Sequence, residues 1–391
     1  MKILMLAPQP FFEPRGTPFS VLGRLKALSA LGHEVDLLTY HVGKDVAIPG
    51  AVIHRTPNIR FIKSVKIGPS LPKILLDLLL LFKAIRLLRK NKYDLLHAHE
   101  EAAFFGIVLS RLFGIPHLYD MHSSLTQQLS NFRYSKFGPL VGFFDWMEHR
   151  VINSSSAVIT ICPALAEHVT QINGQVPQVM IENVDTNADP ALISRGDTEA
   201  LEAAHPRLAG RKNVLYAGTF ETYQGIDILV ESAGEVVRRC EDVLFVLAGG
   251  KPAQVEFYQK LVDSKGLGDH FYFTGTRPPE EIPIFIKLAQ VLVSPRVEGT
   301  NTPLKIYSYL QSGKPIVATD LYTHTQVLNQ DTAVLVSPSA AGLTEGILSV
   351  LENSQLASGV GNQARKFFEA NYSMEKYISK TDQVLRAAVA G

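Results

Sequence analysis

The segment Pro295-Arg-Val-Glu298-Gly299-Thr300-Asn301-Thr302-Pro303-Leu-Lys305 holds several groups able to do chemistry together. Gly299 lets a ligand approach the backbone closely. Thr302 and Pro303 are residue types that cap and open a helix, and a helix opened there offers its first amides to an anion. Lys305, in the first turn, is opposed by the helix dipole unless an anion is bound beside it. A carboxylate, Glu298, beside an anion site suits a ligand that carries hydroxyls and phosphates together. The same residues also fit a merely well-capped helix, with Glu298 solvated or paired with Arg296 or Lys305. A matching segment, Pro14-Arg15-Gly16-Thr17-Pro18-Phe19, lies near the N-terminus; Thr17 before Pro18 reads as a second cap and Gly16 as a second point of close approach.

Other ligand signatures are missing from the sequence. Gly266-Leu-Gly268 fails the dinucleotide pattern because Phe271 stands where the third glycine belongs. Gly313-Lys314 is followed by Pro315 and lacks the leading glycine of a phosphate-binding loop. There is no Asp-x-Asp pair for a metal diphosphate and no zinc-spaced Cys/His cluster. His97-Ala-His99 has no adjacent third ligand, so packing is expected of it and no metal site is assigned.

These loops need a scaffold, and apolar runs bounded by turn residues supply one. Runs at 3–7, 35–39, 95–98, 117–120 and 157–161 read as strands of a parallel sheet buried on both faces. Helical segments at 19–31, 72–89, 102–113 and 139–153 alternate with them. The rhythm breaks over 183–213, which is small and polar and reads as a linker enclosing a short helix. It resumes with strands at 214–217, 244–248, 271–274, 291–294 and 316–318 and helices at 226–239, 253–265, 279–288 and 304–311. The expected class is α/β with two Rossmann-like domains. The organisation expected is 1–185, a linker at 186–212, and 213–372, with a closing helix at 373–391 packing back on the first domain. In such sheets ligands bind beyond the carboxyl ends of the strands, where both loops fall.

Composition narrows the partners. With 391 residues, 46% hydrophobic and 19% charged, the chain buries a large core and is not disordered. Thirty-eight Lys and Arg against 37 Asp and Glu give a net charge of +1, which excludes bulk attraction to nucleic acid. Two cysteines, Cys162 and Cys240, make no disulfide framework and fit a reducing, cytoplasmic setting. No run reaches the roughly 18 apolar residues of a membrane span, and the opening run, stopped at Pro8, is too short for a signal peptide. The stretch 61–92 carries Lys63, Lys66, Lys73, Lys83, Arg86, Arg89, Lys90 and Lys92 against Asp77 alone, around a strongly apolar 74–82. Such a segment suits an anionic membrane surface, or a crossover helix with a solvated edge.

The order and spacing of several pieces resemble the GT-B retaining glycosyltransferases of family 4, the glycosyl transferases group 1. They include the opening strand and loop, Asn183-Val-Asp185, Tyr216-Ala-Gly through Gln224-Gly225-Ile-Asp227, Leu247-Ala-Gly-Gly250, Phe273-Thr-Gly275, Glu298-Gly299, Gly313-Lys-Pro-Ile-Val-Ala318, Val334-Leu-Val-Ser-Pro338 and Tyr372-Ser-Met-Glu375. The resemblance implies a GT-B fold, two Rossmann-like domains with parallel sheets facing across a cleft. Its N-terminal domain binds the acceptor and its C-terminal domain the nucleotide sugar. It implies metal-independent transfer of a sugar, with retention, to a hydroxyl of a glycan or lipid-linked glycan in cell-surface polysaccharide assembly. No cofactor is implied beyond the nucleotide-sugar donor.

By position, Glu298 matches the first glutamate of the family's E-x7-E signature, which contacts sugar hydroxyls. Gly299, Thr300, Asn301 and Thr302 match the amides over sugar and diphosphate, and Gly16 the donor-phosphate contact. His122, in Asp120-Met-His-Ser-Ser124, matches the active-site histidine, and Arg277 lies in the loop that flanks the base. The chain also departs from the pattern. The second glutamate falls at Ser308 when anchored on Ser312-Gly313, or at Ile306 by counting. The diphosphate-binding Arg and Lys fall at Thr219 and Gln224. Lys305 and Arg296 are the expected replacements for that charge. Two alternatives remain: a non-catalytic GT-B-like protein that binds a glycan or nucleotide, and a sugar-nucleotide epimerase.

Overall fold

The computed structural model describes residues 1–13, 16–65, 70–124, 138–183 and 189–390. The chain forms two units, Met1–Asn183 with Met374–Gly391, and Val184–Ser373.

The first unit holds β1 (Lys2–Ala7), α1 (Gly16–Ala30), β2 (Glu34–Thr39), β3 (Ala51–Arg55), α2 (Leu71–Lys90), β4 (Leu95–His99), α3 (Ala102–Phe113), β5 (His117–Met121), α4 (Gly138–Ser154), β6 (Ala157–Thr160), α5 (Pro163–Ile172) and β7 (Gln178–Met180). The strands pair in the order β3-β2-β1-β4-β5-β6-β7, all parallel. Residues 3–7 of β1 are wholly buried, the reason an uninterrupted apolar run marks the sheet centre. One sheet face packs under α2, α3 and α5 through residues such as Leu80, Leu109 and Leu165. The other packs under α1 and the last helix, where Leu25 and Leu28 meet Tyr377, Val384 and Leu385.

The second unit holds α6 (Arg195–Ala204), β8 (Lys212–Gly218), α7 (Ile226–Arg239), β9 (Val243–Gly249), α8 (Pro252–Ser264), β10 (Phe271–Gly275), α9 (Ile282–Leu288), β11 (Val291–Ser294), α10 (Lys305–Ser312), β12 (Ile316–Thr319), α11 (Tyr322–Thr325), β13 (Val334–Val336), α12 (Ala340–Glu352) and α13 (Ser354–Tyr372). Its strands pair in parallel in the order β10-β9-β8-β11-β12-β13. The final helix, α14 (Met374–Ala390), returns to the first unit.

The segment read as a linker is part of the second unit from residue 189 onward. Leu201 of α6 and Leu208 are buried in its core, and Arg365 pairs with Asp189 at 2.8 Å. A polar outer face with one apolar residue per turn hid that packing. Three strands also escaped the sequence reading. β3 and β13 are sheet edges, β7 has three residues, and none carries a continuous buried run. The helix expected at 279–288 divides into a 3-10 turn, Pro279–Glu281, and α9.

In each unit the strand order reverses once, between β1 and β4 and between β8 and β11. Such a point opens a crevice beyond the strand ends. In the first unit, α1 begins after β1 there; in the second, the loops after β8 and β11 meet there.

Candidate active site

The second unit's crevice is built by two touching loops. The Val297 amide donates to the Tyr223 carbonyl at 2.9 Å. Gly225 has φ +70, and a Cβ there would come 2.0 Å from the Pro295 carbonyl oxygen, so only glycine lets the loops meet. Arg296 folds under its own loop. Its Nε donates to the Glu298 carbonyl at 2.7 Å and its Nη1 to the Asn301 carbonyl at 3.0 Å, while its guanidinium lies 5.0 Å from the Tyr223 ring centroid. Gly299, φ +125, rides directly over this guanidinium; a Cβ would sit 2.4 Å from Nη2. Thr323 and Gln326 donate to the Asn301 and Thr300 carbonyls, so the loop backbone is held from below.

Lys305 opens α10 and reaches across to the loop after β8. The residue is half-buried, and its ammonium lies 3.7 Å from the Tyr216 ring centroid and 3.4 Å from Gln224 Oε1. It is therefore beside the position where the resemblance puts a lysine. Desolvation, with Arg296 adding to it, pushes the Lys305 ammonium well below the ordinary lysine range. The two cations face a ring, an amide and carbonyls, with no carboxylate paired to either among the described residues. Two cations held without a counter-charge make an anion site.

Glu298 is exposed, and its carboxylate takes no ion-pair partner among the described residues. The pairing with Arg296 or Lys305 is not formed, because Arg296 is committed to backbone carbonyls. Thr302 does not cap α10: the helix begins at Lys305, no side chain caps it, and the Thr302 hydroxyl is buried without a partner. Ser308 is half-buried on α10, whereas Ile306 lies wholly in the core. Thr219 is exposed, its carbonyl accepting from the Tyr216 hydroxyl at 2.6 Å, and Gln224 is buried. Arg277 stands apart: it follows edge strand β10, two strands from β8, and pairs with Glu281 at 2.6 Å.

In the first unit, Gly16 is the first residue of α1, so Thr17 lies inside the helix rather than capping it; its hydroxyl donates to Glu100 at 3.1 Å. Residues 14 and 15, like Asn183's neighbours at 184–188 and Lys66, lie outside the described residues. Glu100, directly after β4, was not singled out in the sequence. It has φ +48, a conformation uncommon outside glycine, and desolvation and then Glu101 raise its carboxyl to about 7.

His122 follows β5 and is buried. Its Nε2 lies 2.9 Å from His99 Nδ1 and 3.3 Å from Asp120 Oδ1. Burial, with Arg24 and His97 nearby, lowers it to about 4 despite Asp120, so the imidazole is neutral near pH 7. The missing third ligand beside His97 and His99 is supplied by strand pairing. His99 lies opposite Asp120 in the β4–β5 register, and the three ligand atoms lie within 4.8 Å of one another. The donor set nevertheless fits a cation poorly. Arg24 already donates to Asp120 Oδ2 at 2.9 Å and supplies the balancing charge.

Comparison with known proteins agrees across both units. The profile of the glycosyl transferases group 1 matches residues 197–367, and that of the glycosyl transferase 4-like domain matches residues 16–183. An alpha-D-kanosaminyltransferase of Streptomyces kanamyceticus is 26% identical over 73% of this chain and 75% of its own. A phosphatidyl-myo-inositol mannosyltransferase of Mycobacterium leprae is 24% identical over 91% of this chain and 89% of its own. Among solved structures, a sucrose-phosphate synthase from Thermosynechococcus elongatus superposes with a TM-score of 0.80 at 20% identity, over 100% of this chain and 99% of its own. Anabaena HepE in complex with UDP and glucose superposes at 0.75 with 18% identity, over 98% and 99%.

Proposed function

Because the chain belongs to the GT-B glycosyltransferases of group 1, we propose that it moves a sugar from a nucleoside diphosphate to an acceptor hydroxyl with retention at the anomeric carbon. The observation that carries this reading is the pair Arg296 and Lys305, uncompensated cations beside Tyr223 and Gln224 at the second unit's switch point. They stand in for the cations absent at Thr219 and Gln224 and receive the diphosphate. Backbone amides of residues 299–302 and the cations stabilise charge on the departing diphosphate by preorganised electrostatics, with no metal required. The acceptor oxygen bonds the anomeric carbon as the sugar–phosphate bond breaks, and its proton passes to the departing phosphate oxygen. Glu298 holds the sugar hydroxyls and Ser308 lies near the ribose. The first unit supplies Gly16 to the donor phosphates, His122 to the reaction, and the acceptor's binding surface. HepE was solved with UDP and glucose, which makes a UDP-sugar the first donor to try.

For the acceptor, we propose a glycan or lipid-linked glycan met at the cytoplasmic face of a membrane. No helix among the described residues is long and apolar enough to cross one. Ile74, Leu75, Leu78 and Phe82 of α2 face outward while Leu76, Leu80 and Leu88 fill the core. Phe82, Lys83, Arg86 and Lys90 line, with Arg55, a groove of about 490 Å³. An outward apolar row beside clustered cations supports contact with anionic lipid.

The test is product analysis with a panel of radiolabelled nucleotide sugars and the anomeric configuration of the product. Transfer with retention is expected. Binding without turnover would favour the non-catalytic alternative, and isomerised nucleotide sugar the epimerase.

A further inference from the structure

Trp146 is the one tryptophan of the chain, and it stands 52% exposed on α4. Indoles are large and mostly buried, so one left in water beside other apolar groups marks a surface with a use. Phe143, one turn earlier, is equally exposed, its ring 6.1 Å from that of Trp146. Val108 and Leu112 of α3 are exposed as well. Between the two helices runs a groove of about 320 Å³ with Ile107, Val108, Trp146 and Met147 in its walls.

The groove has a cationic end. α3 crosses from β4 to β5 and α4 leads from β5 into β6, between neighbouring parallel strands, so the two helices run side by side in the same direction. The rings of Phe104 and Phe144, 6.4 Å apart, set their register. Arg111 and Arg150 come two turns later on each helix, which places both about 9–10 Å beyond the ring pair. Both arginines are exposed and line the groove, and the Arg150 guanidinium lies 5.2 Å from the Trp146 ring centroid. Among the described residues no carboxylate lines it with them. The acids of α4 are engaged elsewhere: Glu148 is buried against Ser124 and His168, and Asp145 faces His149 at 3.6 Å.

An apolar trough that ends in two guanidiniums matches an anionic amphiphile, with phosphate at the cationic end and acyl chain along the rest. A second copy of the chain matches poorly, because a two-fold contact centred here brings the arginines of both copies together. The neighbouring helices point to a lipid surface. α2, α3 and α4 cover one face of the sheet through Leu80, Leu109 and Val151, and all three carry large apolar residues outward. On the opposite face, among the described residues, α1 exposes none and α14 only Val389. Indole at the boundary of headgroup and hydrocarbon, with arginine reaching to phosphate, is the usual arrangement at a bilayer. We propose that the α3–α4 groove seats an anionic phospholipid of a bilayer, Arg111 and Arg150 taking the headgroup phosphate while Trp146 and Phe143 enter the interface. This rests on the reading that the first unit meets a membrane, and adds to the α2 row a contact that selects for phosphate.

The test uses the full chain, whose tryptophan emission reports Trp146 alone. With vesicles of equal parts phosphatidylcholine and phosphatidylglycerol, the emission should shift to the blue and be quenched by lipid brominated on its acyl chains; phosphatidylcholine alone should do neither. The double variant Arg111→Gln/Arg150→Gln should keep its Tm and partition about 30-fold more weakly, at about 5-fold per cation. Flotation with the anionic vesicles while Trp146 emission stays unchanged overturns the groove and leaves the membrane reading to α2. Absence of flotation overturns both. Undiminished partitioning of the double variant removes the arginines from the contact and overturns the proposal. The same blue shift from inorganic phosphate or glycerol phosphate in solution makes this a site for soluble anions and overturns the lipid. Sedimentation as a dimer whose Trp146 is already shielded from acrylamide without lipid gives the face to a second copy and overturns it too.

Discussion

Replacing Lys305 by Gln removes one cation from the proposed diphosphate site and leaves a side chain of similar reach. A hydrogen bond to a charged group is worth about 1.5–3 kcal/mol, so the dissociation constant for UDP should rise about 10- to 150-fold. The ligand-free protein should hardly notice. The lost ammonium–ring contact with Tyr216, about 0.5–2 kcal/mol, is offset by relief of a desolvated cation beside Arg296. Its Tm should stay within about 2–4 °C. The contrast emerges on adding nucleotide. At 100 times the wild-type dissociation constant the wild type gains about 2.7 kcal/mol, whereas the variant gains only about 0.3–1.4 kcal/mol. Gln224→Lys in the Lys305→Gln background should recover much of the loss, since the two side chains end within 3.4 Å of each other. Calorimetry in buffers of different ionisation enthalpy adds an independent reading. The depressed Lys305 regains its ordinary affinity for a proton when an anion arrives. At a pH between its depressed value and the usual lysine range, UDP binding should therefore take up a proton. Unchanged UDP affinity in Lys305→Gln, or binding without proton uptake there, refutes the relocation of charge onto Lys305.

Glu298→Gln should lower transfer at least about 100-fold with Tm unmoved, because the carboxylate is exposed and takes no ion-pair partner among the described residues; full activity, or loss only through unfolding, removes Glu298 from the proposed sugar site. Ser308→Glu should tighten nucleotide binding by about 1.5–3 kcal/mol if it restores an acceptor for the ribose hydroxyls, and calorimetry showing equal or weaker affinity would mean that α10 turns Ser308 elsewhere. In flotation assays the protein should bind anionic and not neutral liposomes, and charge reversal at Lys83, Arg86 and Lys90 should abolish this; equal recovery from both kinds of vesicle defeats the membrane reading.

The central strands and most crossover helices were legible because burial on two faces forces long apolar runs, as at residues 3–7 and 291–294. The helices 102–113 and 226–239 match their sequence limits to the residue. The edge strands β3, β7 and β13 were not legible, unlike β10, since they are short or, as in Ala51–Arg55, open to water on one side with polar residues intruding. At the candidate site, the loop carrying Glu298 and Gly299 could be read from residue types alone. The placement of Arg296 beside Tyr223 and of Lys305 beside Gln224 was not legible, because the reach from α10 to Gln224 depends on a sheet register that no local pattern encodes. The pairing of Arg24 with Asp120 was not legible for the same reason: they are 96 residues apart and meet only through packing. Thr302 misled because a capping residue type was present without the capping geometry.

The return of α14 makes the second unit an insertion within the first. During synthesis, residues 184–373 emerge after the first sheet is complete in sequence but before its cover exists. At about 5–20 residues per second the nascent chain spends on the order of ten to forty seconds in that state. Throughout it, the face that Tyr377, Val384, Leu385 and Ala388 will cover stays open beside α1. The inserted unit can close around its own core meanwhile. The first-made half of this protein is thus completed only by a helix synthesised after the whole of the second unit.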